Sequence, residues 1–299
     1  VGLEEGIITE EYTIKDTGRY KLPNVSHVWR DWKRWGHGDV NVSKAIEVSC
    51  DTFYYELAYN LGIDKISEAM YEFGFGDFTG IDLYEESHAN MPSRGWKRAR
   101  FNQPWYIGDT IPVGIGQSYW TTTPVQLAHS VNTLINRGER YIPQIIRGYM
   151  NTDESIDLIP LKSLRPIEIK NQHNLDIVLN AMHDVVSGEE GGARHAFANT
   201  DYDSAGKTGT AQLFTVGQNE KYDAEKIDER LRDNAMYVGF APFNDPEILV
   251  TVVLENVGGG SKNAAPKARQ MMDFYFRDRV FEPVQAEEVA ANENITGDF

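Results

Sequence analysis

The sequence predicts an α/β (mixed) fold, and three observations predict it. Apolar residues at helical spacing, punctuated by helix start and stop signals, recur between residues 42 and 186. Three strand-like runs follow between residues 205 and 255. A last amphipathic segment, 267–276, comes where it can cover the sheet. With 299 residues, 41% hydrophobic and 25% charged, the chain can bury a large core.

The first forty residues mix Gly, Pro, Trp and charge without a clear period. Residues 42–48 and 52–61 then read as two short helices flanking Ser49-Cys50-Asp51. In the second, Phe53, Leu57 and Leu61 recur every four residues and Gly62 follows as a stop. Residues 63–73 give another helix closed by Gly74, and 75–120 reads as a long loop. Thr123-Pro124 opens a strong helix, with a threonine N-cap, proline at the first position and Gly138 past its end. Residues 174–186 form a further helix, ended by the glycines from 188 to 192.

The three strands are expected at 205–214, 235–243 and 248–255. The third is almost unbroken in apolar residues and is expected to be buried on both faces. Residues 216–233 are highly charged and read as an exposed excursion, and the acidic tail 281–299 reads as disordered.

A net charge of −16 argues against a nucleic-acid groove. The basic runs at 30–34 and 94–100 read as solvated faces. One cysteine, Cys50, excludes an intrachain disulfide and leaves the compartment open. No apolar run approaches the roughly 18 to 20 residues of a membrane span. The chain begins Val1-Gly2-Leu3 and reads as a fragment.

The most specific segment is Ala205-Gly206-Lys207-Thr208-Gly209-Thr210-Ala211-Gln212. On a strand, Lys207 and Gly209 share one face, so a cation stands beside a bare position. An extended peptide can add to such an edge, and the hydroxyls of Thr208 and Thr210 offer donors for a carboxylate. The bland alternative is a glycine-softened strand with a solvent-facing lysine. The second segment, Ser49-Cys50-Asp51, lies 158 positions earlier at a helix junction. A serine hydroxyl near a lysine can relay a proton in acyl transfer. The bland alternative here is helix punctuation, with Asp51 as N-cap.

Together these segments resemble the second and third motifs of the penicillin-recognising serine enzymes, whose set is Ser-x-x-Lys, Ser-x-Asn and Lys-Thr-Gly. Arg30-Asp31-Trp32-Lys33, Trp35-Gly36-His37-Gly38, Gly80-Ile81-Asp82-Leu83 and the segment from Gly108 to Gln117 extend the likeness. So does aspartate at 51 in place of asparagine. All are similar to the elongation-type penicillin-binding transpeptidases of rod-shaped bacteria, over roughly residues 1 to 280.

The resemblance implies an antiparallel sheet flanked by helices, a mostly helical lobe at about 41–200 and a sheet region at about 201–280. It also implies a peptidoglycan D,D-transpeptidase on the periplasmic face of the bacterial inner membrane. Such an enzyme acylates itself on the D-Ala-D-Ala end of a stem peptide and passes the acyl group to a neighbouring stem's amine. Its implied partners are β-lactam antibiotics and the membrane glycosyltransferase of the elongation machinery. Ser49, Asp51 and Lys207 become the catalytic set. Thr208, Gly209 and Thr210 become substrate-binding, with the Thr210 N–H in the oxyanion hole. A D,D-carboxypeptidase or serine β-lactamase, or a non-catalytic β-lactam sensor or scaffold, remain alternatives.

The first motif is not found before Ser49. The one formal Ser-x-x-Lys is Ser204-Ala205-Gly206-Lys207, and in a strand an offset of three puts those side chains on opposite faces. The nucleophilic serine is therefore expected upstream of residue 1, and the chain by itself is expected to be inactive.

Asp16, Asp31, His37 and Cys50, at intervals of 15, 6 and 13, can be read as a zinc ligand set. The same residues can equally be a buried thiol, a satisfied histidine and loop aspartates. In the family resembled here Asp31, His37 and Cys50 match zinc-binding positions and Asp16 fits the fourth, which implies a structural zinc ion behind the Ser49 turn and no organic cofactor. The other histidines, His183 and His195 among them, read as structural.

Overall fold

A computed structural model describes residues 1–213 and 227–279. The chain opens with short strands β1 (Ile14–Asp16), β2 (Arg19–Tyr20), β3 (Trp29–Arg30) and β4 (Gly38–Val40). β1 pairs with β4 and β2 with β3, both antiparallel. Strands of two or three residues are too short to print an alternation, which is why the first forty residues showed no period.

Helices α1 (Val42–Glu47) and α2 (Asp51–Glu72) follow. Asn41 caps α1 by accepting from the Lys44 N–H at 2.9 Å. Gly62 leaves the helical region, at φ 75°, so α2 is the two expected helices meeting at a sharp kink.

The expected loop at 75–120 holds α3 (Arg94–Phe101) and α4 (Ile107–Val113). α3 is hidden by its basic composition, and α4 carries Gly108 and Pro112, poor helix formers. Tertiary contacts override that composition. Lys97 is 2% exposed and pairs with Asp109, so the run at 94–100 is not wholly a solvated face. The Trp105 indole donates to Thr110 Oγ1 at 2.8 Å.

α5 (Pro124–Ile135) starts with a reciprocal capping box between Thr123 and Gln126, each side chain accepting from the other's N–H at 3.1 Å. A hairpin of β5 (Gly148–Met150) and β6 (Ile156–Leu158) precedes α6 (Gln172–Ser187).

The main sheet is antiparallel, in the order β7 (Ala205–Ala211), β8 (Asn234–Ala241), β9 (Ile248–Leu254). Lys207 stands opposite Val238 and Thr208 opposite Tyr237. Val250 and Val252 of β9 are buried and their neighbours half-buried. No residue of β9 is exposed, in keeping with the expected burial on both faces, and among the described strands β9 lies at the edge of the sheet. α7 (Gly260–Phe276) begins seven residues earlier than expected, and Ala264, Ala265 and Ala268 are buried under it. Small side chains there let the helix lie close to the sheet.

One core joins Ala45 and Phe53 of the first helices, Val185 of α6, Tyr237 and Phe240 of β8, and Met272 of α7. That shared core fixes the turn between α1 and α2 against β7. The charged excursion falls largely outside the described residues, as does the tail.

Candidate active site

Ser49 occupies the turn between α1 and α2 with φ 55°. A left-handed conformation costs a non-glycine residue about 1–2 kcal/mol, so the surroundings have to enforce it. They do so through Trp32, just past β3. Its indole N–H lies 3.1 Å from the Val48 carbonyl and 2.9 Å from the Ser49 carbonyl. Its backbone N–H donates to Asp51 Oδ2 at 3.0 Å. Cys50 adds a backbone bond to the Ala45 carbonyl at 3.0 Å.

Lys207 projects from β7 and donates its Nζ hydrogens to Ser49 Oγ and, at 3.1 Å, to the Thr208 carbonyl. The two segments separated by 158 positions meet through this bond. Burial lowers the Lys207 ammonium to about 8, although the Asp51 charge opposes the shift. Burial, with the Asp31 charge, raises Asp51 to about 7. A lysine so desolvated is a competent proton partner for a hydroxyl near neutral pH.

β7 pairs with β8 on one side and leaves its other edge open among the described strands. Gln117, just past α4, reaches that edge and donates its Nε2 hydrogen to the Thr210 carbonyl at 2.9 Å. By strand alternation Thr208 and Thr210 project to the face opposite Lys207. Thr210 Oγ1 accepts from the Gly260 N–H at 3.3 Å. A Cβ at Gly260 would lie 2.2 Å from the Gly209 carbonyl, so glycine is required where α7 starts against β7. Ser204 is 1% exposed, packed in the core, and its hydroxyl has no hydrogen-bond partner among the described residues.

Behind the Ser49 turn, Asp16, Asp31, His37 and Cys50 converge, each offering one ligand atom within 4.8 Å of the others. His37 Nδ1 lies 2.8 Å from Asp16 Oδ2 and 3.5 Å from Asp31 Oδ1, and Cys50 Sγ lies 3.5 Å from Asp16 Oδ2. Tetrahedral zinc with bonds of about 2.0–2.3 Å sets its ligands roughly 3.3–3.8 Å apart; the two 3.5 Å separations lie in that range, and the 2.8 Å His37–Asp16 contact is a hydrogen bond that an ion would open. The charges of the set fit too. Burial raises the Cys50 thiol, and burial with the Asp16 charge raises Asp31. Asp16, pushed up by burial, is brought back below its ordinary value by donors from Gly18 and His37. Two carboxylates and a thiol buried together lack a positive charge that a divalent cation would supply.

Trp32 and Gln117 are the residues that sequence reading left without a role. Both lie in segments that carried the resemblance, but their contacts span 16 to 19 and 93 positions, beyond any local pattern. His183, read as structural, has its Nε2 2.8 Å from Asp203 Oδ1.

A serine hydroxyl bonded to a desolvated lysine, beside a strand edge unpaired among the described residues, is the arrangement that the second and third motifs of the penicillin-recognising enzymes would form. The family model described as penicillin binding protein transpeptidase domain matches residues 1–273, and the chain belongs to that family. It is 44% identical over 279 residues to the peptidoglycan D,D-transpeptidase MrdA of Haemophilus influenzae, across 92% of this chain and 42% of that protein. The chain thus spans less than half the length of the curated relatives it matches. Among solved structures, Pseudomonas aeruginosa PBP2 in complex with WCK 5153 superposes with TM-score 0.81 at 38% identity, over 96% of this chain and 61% of that one. The PBP2 of Helicobacter pylori, in complex with MreC, gives TM-score 0.77 at 29% identity, over 93% of this chain and 48% of that one.

Proposed function

We propose that this chain supplies the Ser49–Asp51 and Lys207–Thr210 walls of a peptidoglycan D,D-transpeptidase of cell-wall elongation. The observation that carries the reading is the Lys207–Ser49 hydrogen bond beside the free edge of β7. A stem peptide ending in D-Ala-D-Ala adds to that edge, with its terminal carboxylate toward Thr208 and Thr210. The acyl-accepting serine comes from a Ser-x-x-Lys segment outside these 299 residues, where no such helical pair occurs.

That serine's oxygen bonds to the carbonyl carbon of the penultimate D-alanine. The bond to the terminal D-alanine nitrogen breaks, and the serine's proton passes through the Lys207–Ser49 network to the leaving amine. The oxyanion formed on the way is held by the Thr210 N–H. A neighbouring stem's amine then attacks the ester carbon, the new amide forms and the serine is released. β-Lactams acylate the same serine. The work is done at the periplasmic face of the inner membrane, beside a membrane glycosyltransferase.

The test is labelling with a fluorescent penicillin, in a protein carrying this sequence together with its Ser-x-x-Lys segment. Lys207→Ala is expected to slow labelling by about 100-fold or more, and undiminished labelling would overturn the reading. Product analysis separates transfer from hydrolysis: a cross-linked dimer supports the transpeptidase, a trimmed monomer the carboxypeptidase.

Zinc in the cluster of Asp16, Asp31, His37 and Cys50 would be structural, its closed ligand set leaving no position for substrate. Protein purified without chelator is expected to carry one zinc, lost in Cys50→Ser. Equal zinc in both would end the idea.

A further inference from the structure

Beside this site lies an open concavity of about 480 Å³. Trp96, Phe101 and Tyr119 line it, and their rings pack as a triangle with centroids 5.2 to 5.6 Å apart. The far wall is fixed by Asn90, which pairs with Thr121 and donates its side-chain N–H to the Tyr119 carbonyl.

The rim carries Arg100, from the basic helix α3. On that helix Arg94 pairs with Asp64 and Lys97 with Asp109, whereas Arg100 makes no ion pair or hydrogen bond among the described residues. In a chain with net charge −16, an exposed arginine left unpaired at the mouth of an aromatic cavity is a place for an anion.

The concavity is joined to the reaction site through the chain. Gln117 caps the Thr210 carbonyl on the free edge of β7, and Ser118 follows with φ 69°, a strained turn for a non-glycine residue, directly into the cavity wall. Ser118 in the wall is thus the chain neighbour of Gln117, whose side chain spans from there to the edge. A peptide paired along β7 and leaving the edge at Thr210 displaces the Gln117 amide and meets this wall next.

We infer that the concavity is a subsite for the donor stem peptide, in which Arg100 binds a stem carboxylate preceding the D-Ala-D-Ala end and the three rings carry the peptide's apolar atoms. The inference rests on the transpeptidase reading and names the part of its substrate that the Lys207 wall does not touch.

The experiment uses the protein carrying this sequence together with its acyl-accepting serine. Acylation kcat/KM is measured with a peptide thioester donor bearing a free stem carboxylate, with its amidated twin, and with benzylpenicillin, which has no stem. Arg100→Glu is expected to lower the value for the acidic donor by about tenfold or more. The amidated donor and benzylpenicillin are expected to change less than about twofold. Arg100 is exposed, so the fold should stand; Arg100→Gln, with an intermediate loss confined to the acidic donor, guards against a local misfold. Equal losses for both peptide donors, or none for either, would overturn the subsite. So would a defect that appears only on varying the acceptor. Failure of benzylpenicillin to acylate the unmutated protein would instead sink the transpeptidase reading, and the subsite with it.

Discussion

The turn at Ser49 is held by polar groups: the Trp32 indole, the Asp51 and Asp31 carboxylates, and the acidic cluster with Cys50 behind it. The strand of Lys207, facing it, is held by backbone pairing and packing: β8 hydrogen-bonded alongside, the alanines of α7 against the sheet, and glycines where backbones touch. The difference teaches that one site can have walls of unlike sensitivity. Ions should disturb the serine wall and leave the lysine wall alone, while an added methyl group should do the reverse.

The largest expected effect is removal of the zinc proposed for that cluster. An ion bound only by the folded state adds about 4 kcal/mol at a thousandfold excess over its Kd. A chelator should therefore lower the Tm of the unmutated protein markedly, while Cys50→Ser should start lower and respond little. Identical melting with and without chelator would remove the metal from the comparison. Next comes Gly206→Ala, on the opposite wall. Its Cβ would lie 2.2 Å from the Tyr237 hydroxyl and 2.8 Å from the Val238 carbonyl. A loss of about 1–3 kcal/mol in urea unfolding is expected, with zinc content unchanged. A shift in zinc content would show that the walls are not independent.

How much of this was legible in the sequence follows the same division. Strands β7 to β9 and helices α5 and α6 announced themselves through local patterns of apolar runs, a threonine N-cap before proline, and glycine stops. Lys207 and Ser49 were legible as motifs, and the cluster of Asp16, Asp31, His37 and Cys50 through the resemblance. What stayed hidden is set by contacts between distant segments. α3 reads as a charged run until Lys97 is seen buried against Asp109. Trp32 belongs to a segment that carries the resemblance but has no role there until its indole N–H is seen on the carbonyls of Val48 and Ser49. A hydrogen bond from a loop to a distant carbonyl leaves no periodicity behind.

Trp32→Phe sharpens the contrast at smaller scale. The ring volume is largely kept and the N–H is lost, so stability should fall by only about 0.5–1.5 kcal/mol. Because the bond helps hold Ser49 at φ 55°, penicillin acylation should fall more than stability does. A proportionate loss of both would make Trp32 ordinary packing.

The smallest effect belongs to the one titrating support found for the lysine wall. His183 of α6 is hydrogen-bonded to Asp203, two residues before β7, and its ring lies 4.7 Å from that of Phe243. The Asp203 carboxylate raises the imidazolium above its ordinary value despite burial. A histidine whose pKa is higher folded than unfolded binds its proton more tightly in the native state. Its contribution is therefore complete below about pH 6.5, the unfolded value, and fades as pH climbs through the folded one. His183→Gln should thus destabilise the protein more at pH 5.5 than at pH 8.5 in urea titrations, and the Cys50→Ser background should not alter the difference. A penalty that grew with pH would mean that the neutral ring is the form the fold prefers, and that the lysine wall rests on packing alone.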